Sequence, residues 1–163
     1  MLEDFPQSNY NLNPNLMTLY DLATRHVGIK EVPGIASNEL ILTMLQLDNK
    51  WPEGDHVPWC SAFINYIAWA LRLPRSKSLR ARSWLKVGVP ITLENAEPQN
   101  DIVILTRGKG EQPGPDIIDA PGHVGLFAGR ENNKIYILGG NQSNEVNVKA
   151  YDVERILGIR RIK

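Results

Sequence analysis

Apolar residues recur at helical spacing three times in the first half of the chain. Leu16, Leu19, Tyr20, Ala23 and Val27 follow Asn13-Pro14, a capping residue with proline at the first helical position, and Gly28 supplies a stop. After a turn at Val32-Pro33-Gly34, Ser37-Asn38 caps a second run of Leu40, Ile41, Met44, Leu45 and Leu47. The third run is Phe63, Ile64, Ile67, Ala68 and Leu71. Pro58 disfavours helix at the residue before it, so this spacing predicts a buried helix starting near Cys60. A short helical segment is expected from Ser78 through Arg82-Ser83-Trp84-Leu85 to Gly88.

From Pro98 the period changes. Strands are predicted around Asp101 to Leu105, His123 to Phe127, Lys134 to Leu138, Val146 to Val148 and Ile156 to Ile159. Turns at Gly129 to Asn133 and Gly139 to Asn144 are short enough for antiparallel neighbours. Helices followed by a meandering sheet make an α+β layout, with the sheet packed on the cysteine helix. Residues 1–12 read as an irregular polar lead-in to a single domain covering residues 1–163. Residues 107–122, rich in Gly and Pro, are long for a connection and mark either a functional rim or a mobile insertion.

Charge and cysteine content narrow the function. Lys plus Arg equals Asp plus Glu at 18 each, so no global field draws the chain to nucleic acid or to an anionic membrane. The start Met1-Leu2-Glu3-Asp4-Phe5 is acidic where a signal peptide needs a basic region, and no apolar stretch is long enough to span a bilayer. The expectation is synthesis in the cytoplasm. His26, His56 and His123 are scattered without metal-ligand spacing, and no metal or cofactor is implied. The single cysteine, Cys60, cannot form an intramolecular disulfide.

Buried lone cysteines are commonly inert, but Cys60 is placed in the first turn of a helix, where free N–H groups and the dipole favour thiolate. Gly122-His123-Val124-Gly125 puts a histidine at the mouth of a strand, a rigid support for a general base. A thiol and an imidazole that meet in space form an activated nucleophile for acyl transfer, although a histidine on a half-apolar strand is as commonly structural. A third polar group must fix the imidazole tautomer. Asn141 ends the next strand and is the choice, with Gln142 its immediate competitor and Gly-Gly-Asn also ordinary turn chemistry. The backbone N–H of Cys60 or Ser61 is the expected oxyanion donor. Trp59 and His56 are candidates for the cleft wall, and His26 reads as structural.

The run Val57-Pro58-Trp59-Cys60-Ser61-Ala62-Phe63-Ile64-Asn65, followed in order by Ala81-Arg82-Ser83-Trp84-Leu85, Gly122-His123-Val124-Gly125 and Gly139-Gly140-Asn141-Gln142-Ser143, resembles NlpC-type and CHAP-type cell-wall peptidases. The likeness spans roughly residues 20–161 and is greatest to a small bacterial and phage-borne subgroup. It implies a papain-like α+β fold and cleavage of amide bonds in peptidoglycan stem peptides. It assigns Cys60 as nucleophile, His123 as base and Asn141 as the third member; Trp59, Ser61, His56 and Gln142 are the residues expected to bind substrate. It also implies action on the wall after lysis or injection, as a phage lysis enzyme or an antibacterial effector, with a secretion or phage carrier and a cognate immunity protein as partners. An acyltransferase using the same thioester, and a catalytically silent wall-binding module, are the alternatives.

Overall fold

The computed structural model describes residues 16–163; the expected lead-in and the Asn13-Pro14 helix start lie outside them. Three helices, α1 (Leu19–Thr24), α2 (Glu39–Gln46) and α3 (Cys60–Ala70), precede a six-stranded antiparallel sheet. Its strands are β1 (Val89–Pro90), β2 (Asp101–Thr106), β3 (Gly122–Glu131), β4 (Lys134–Gln142), β5 (Glu145–Asp152) and β6 (Ile156–Arg161). The spatial order is β1-β6-β2-β3-β4-β5. β2 to β5 form the expected meander, and β6 returns to pair with β2 rather than extending the row.

Each helix start has a local cause. Thr18 closes a reciprocal capping box with Asp21, and residues 16–18 are not helical, so α1 starts at Leu19. α1 then ends at Thr24, before the expected Gly28 stop, because residues 28–31 leave the helix to pair with β5: Gly28 N–H donates to Val146 and Val146 N–H to Ile29. Asn38 caps α2 as its sequence predicts, accepting from the Leu40 and Ile41 amides. The expected helix after Ser78 is a 3₁₀ segment, Ala81–Lys86.

Strand alternation splits the core in two. Ile102, Ile104, Val124, Leu126 and Leu138 face the helices and pack with Phe63, Ile64 and Ile67 of α3. Val103, Leu105, Phe127, Ile137 and Tyr151 form a second cluster on the other face. The start of α3 lies hard against β4. A Cβ at Gly140 would stand 2.6 Å from the Trp59 ring and 2.9 Å from Phe63 Cβ, so only glycine lets strand and helix approach this closely. Gly140→Ala is expected to destabilise the fold by about 1–3 kcal/mol through overpacking, read as a fall in melting temperature.

Candidate active site

α3 begins at Cys60 without a side-chain cap and with no acidic residue in its first turn, so its leading N–H groups are left unneutralised. The thiol is 3% exposed. Burial pushes its pKa up, but the His123 hydrogen bond and charge, the Val124 backbone N–H and the Arg107 charge together bring it below the ordinary thiol value. His123 is the second residue of β3, in register with Leu105 of β2, and is 6% exposed. The sequence-predicted pair therefore meets.

The group that orients the imidazole is Gln142. His123 Nε2 donates to Gln142 Oε1 at 3.0 Å, inside the protein. The orientation of that amide is dictated by its other end. Gln142 Nε2 donates to Ile137 O (3.1 Å), Asn147 O (2.8 Å) and Asn147 Oδ1 (3.0 Å), a cage of acceptors that only an NH₂ satisfies. Oε1 must then face His123, which fixes a proton on Nε2 and leaves Nδ1 for the thiol. Tyr151 completes the arrangement, its hydroxyl donating to the same Oε1 at 3.1 Å and its ring lying 5.5 Å from the imidazole. Burial pushes the Tyr151 hydroxyl up to about 12, with Arg155 opposing, so it stays a donor.

Asn141, the residue expected here, makes no side-chain hydrogen bond to His123. The reason is a bulge. Between the pairs Gly139↔Asn147 and Gln142↔Glu145, β4 advances three positions while β5 moves two, and Asn141 takes up the extra residue at φ +58°. What reads as Gly-Gly-Asn turn chemistry is thus strand continued past a kink, and the bulge selects Gln142 for the inside. Gly139 leaves room for the amide, since a Cβ there would come within 3.1 Å of Oε1. Gln142→Ala is expected to lower turnover by on the order of 10²-fold, below the ~10⁴ recorded for loss of a charged orienting group, while Asn141→Gly leaves turnover near wild type. Glycine is chosen at 141 because it tolerates the backbone that a β-carbon strains. Turnover and melting of both variants check this.

Other expected site residues do different work. Trp59 is fully buried, its indole N–H donating to Glu31 at 2.8 Å, so it braces the helix start instead of lining the cleft. The Ser61 hydroxyl is committed to Ser78 O (2.6 Å) and Trp84 Nε1 (2.9 Å), and the residue is fully buried, so it braces the start of α3 from inside rather than facing the cleft. His56 is exposed and makes no hydrogen bond to Cys60 or His123 among the described residues. His26 bonds the Leu22 carbonyl at 2.9 Å and stacks edge-on against Phe63 and Tyr66, in keeping with a structural role.

Beside the thiol opens a cleft of about 300 Å³, with Leu79, Arg80, Arg107, Asp119 and Pro121 on its walls. Its rim is the 107–122 segment, pinned by fully buried Arg82. Arg82 Nε donates to Pro121 O (2.9 Å), and Nη1 to the carbonyls of Pro113 (3.0 Å), Gly114 (2.8 Å) and Ile117 (3.1 Å). The segment is therefore a built rim, held by a cation that the sequence places in the Ala81-Arg82-Ser83-Trp84 motif without revealing its carbonyl partners. A larger groove of about 800 Å³ near Trp69, Arg72 and Lys77 contains no cysteine, histidine or carboxylate among its lining residues and so lacks this chemistry.

Among solved structures, the chain is similar to NlpC1 from Trichomonas vaginalis, with a TM-score of 0.51 and 18% identity, over 89% of this chain and 43% of that protein. The fold is NlpC-like. At this identity the likeness speaks for the fold alone, and the chain spans less than half the length of that relative. No family model matches the chain, and no curated protein does. Among the described residues, no helix is long and apolar enough to cross a membrane, and no group of three His, Cys, Asp or Glu side chains is arranged to hold a metal ion.

Proposed function

We propose that the protein is a thiol hydrolase of peptidoglycan stem-peptide amides, with Cys60 as nucleophile, His123 as base and Gln142 as orienting residue. The observation that carries this reading is the buried His123 imidazole, whose influence on the Cys60 thiol lowers its pKa and whose far nitrogen is held by an amide fixed by three oxygens. An inert buried cysteine needs no such partner. The NlpC-like fold supplies the wall peptide as substrate class by analogy.

The chemistry follows from the geometry. Nδ1 of His123 takes the thiol proton, and the Cys60 sulfur attacks the amide carbon. The oxygen that becomes negative is received by the backbone N–H of Cys60, which has no side-chain cap at the start of α3 and lies at the positive end of the helix dipole. The imidazolium returns its proton to the departing amine, leaving a thioester. Water, deprotonated by His123, then attacks the thioester and releases a carboxylate and the thiol. Gln142 holds Nε2–H throughout without competing for the proton, because a neutral amide oxygen is a weak base.

Digestion of purified peptidoglycan, followed by mass spectrometry of the released fragments, tests the reading. Each cut should add one water and expose one new amine and one new carboxyl. Unchanged fragments after incubation with folded protein would contradict it. Products joined to an added amine would instead identify an acyltransferase.

A further inference from the structure

The cleft beside Cys60 carries an imbalance of charge that the proposed mechanism does not use. Two guanidinium groups, Arg80 and Arg107, line it against one carboxylate, Asp119. Arg80 is anchored, its Nη1 donating to the Asp119 backbone carbonyl at 2.8 Å. Arg107 is exposed at the end of β2, where the rim segment begins, and makes no hydrogen bond or ion pair among the described residues. A guanidinium on the wall of a cleft beside a nucleophile, with its fork of donors free, matches a carboxylate in charge and in planar geometry.

We propose that Arg107, with Arg80 on the same cleft, forms a carboxylate-binding subsite beside Cys60, so that the substrate carries a free carboxylate next to the amide bond that is cut. This rests on the hydrolase reading for the words substrate and cut; the subsite itself rests on the cleft. Arg107 and Cys60 line the same cleft of about 300 Å³, so a molecule seated on the sulfur shares that space with the guanidinium.

Two alkylating agents of nearly the same size, iodoacetate and iodoacetamide, differ at the group this subsite would read. Both form the same S–C bond to Cys60 and expel iodide. Any change in thiolate fraction alters both rates equally and cancels in their ratio. The iodoacetate-to-iodoacetamide ratio at Cys60 should exceed that of free N-acetylcysteine by about tenfold, the scale of one charge-assisted contact. Arg107→Gln should bring the ratio down toward the free-thiol value, and Arg107→Lys should keep part of the excess, with melting unchanged in both because the residue is exposed. A wild-type ratio equal to that of N-acetylcysteine, or an excess that survives Arg107→Gln, overturns the subsite. A raised ratio that Arg107→Gln abolishes, in a protein that leaves peptidoglycan intact, supports the subsite and removes the peptidoglycan reading.

Discussion

Cys60→Ala should abolish hydrolysis, by on the order of 10⁴-fold or more, while the protein still melts cooperatively. Removal of a nucleophile leaves only the binding and oxyanion contributions, which act on a water that nothing activates. The structural cost is small. Cys60 lies at the surface end of the core cluster, and replacing its sulfur with nothing larger than a methyl group deletes one heavy atom, a change worth about 1 kcal/mol at a buried site. Wall clearing and thermal melting, measured on the same preparation, separate the two effects. Activity within a few fold of wild type would remove Cys60 from the mechanism, and loss of cooperative melting would make its role structural.

His123→Ala should be nearly as damaging, lowering turnover by on the order of 10³-fold or more, because the base that activates the thiol also returns the proton to the leaving amine. Its effect on folding should be milder than its central position implies. Gln142 Oε1 keeps the Tyr151 hydroxyl as a donor, and the three oxygens around Gln142 Nε2 are untouched, so no buried polar group is left without a partner. A cavity the size of an imidazole remains, between Tyr151 and the start of α3. A variant that hydrolyses at the wild-type rate would show that the thiol is activated by the helix start alone. Steady-state turnover and denaturant unfolding check both statements.

The residues that built the site were readable to different degrees, for physical reasons. Cys60 was legible because Pro58 and the apolar period after it fix where α3 starts, and a helix start has its own electrostatics. His123 was legible as the first side chain of an apolar β-type run that ends in a Gly129 to Asn133 turn. Gln142 was not, because the choice between it and Asn141 depends on one bulge. Gly-Gly-Asn favours a turn locally, and only pairing with β5 carries β4 past it. The duties of Trp59 and Ser61 were hidden likewise, since their partners Glu31, Ser78 and Trp84 are distant in sequence. Arg82 sits in a motif that could be noticed, yet its partners are backbone carbonyls, which leave no trace in residue identity. The edge strand β1 was missed because two exposed residues, one of them proline, carry no alternation.

The coupling of Cys60 to His123 is the point on which the mechanism turns, and the pH dependence of iodoacetamide alkylation reads it without any assumption about substrate. The thiolate is the reactive form, so the rate rises as pH climbs through the thiol pKa. Burial raises that pKa, and His123, Val124 N–H and Arg107 lower it further than burial raises it, so the wild-type inflection should fall below that of an ordinary thiol. In His123→Ala the first of the opposing influences is gone while burial remains, and the inflection should move up. Wild-type protein is therefore expected to alkylate faster than the variant at pH values below the ordinary thiol pKa. An inflection at the ordinary thiol value in both proteins would contradict the account.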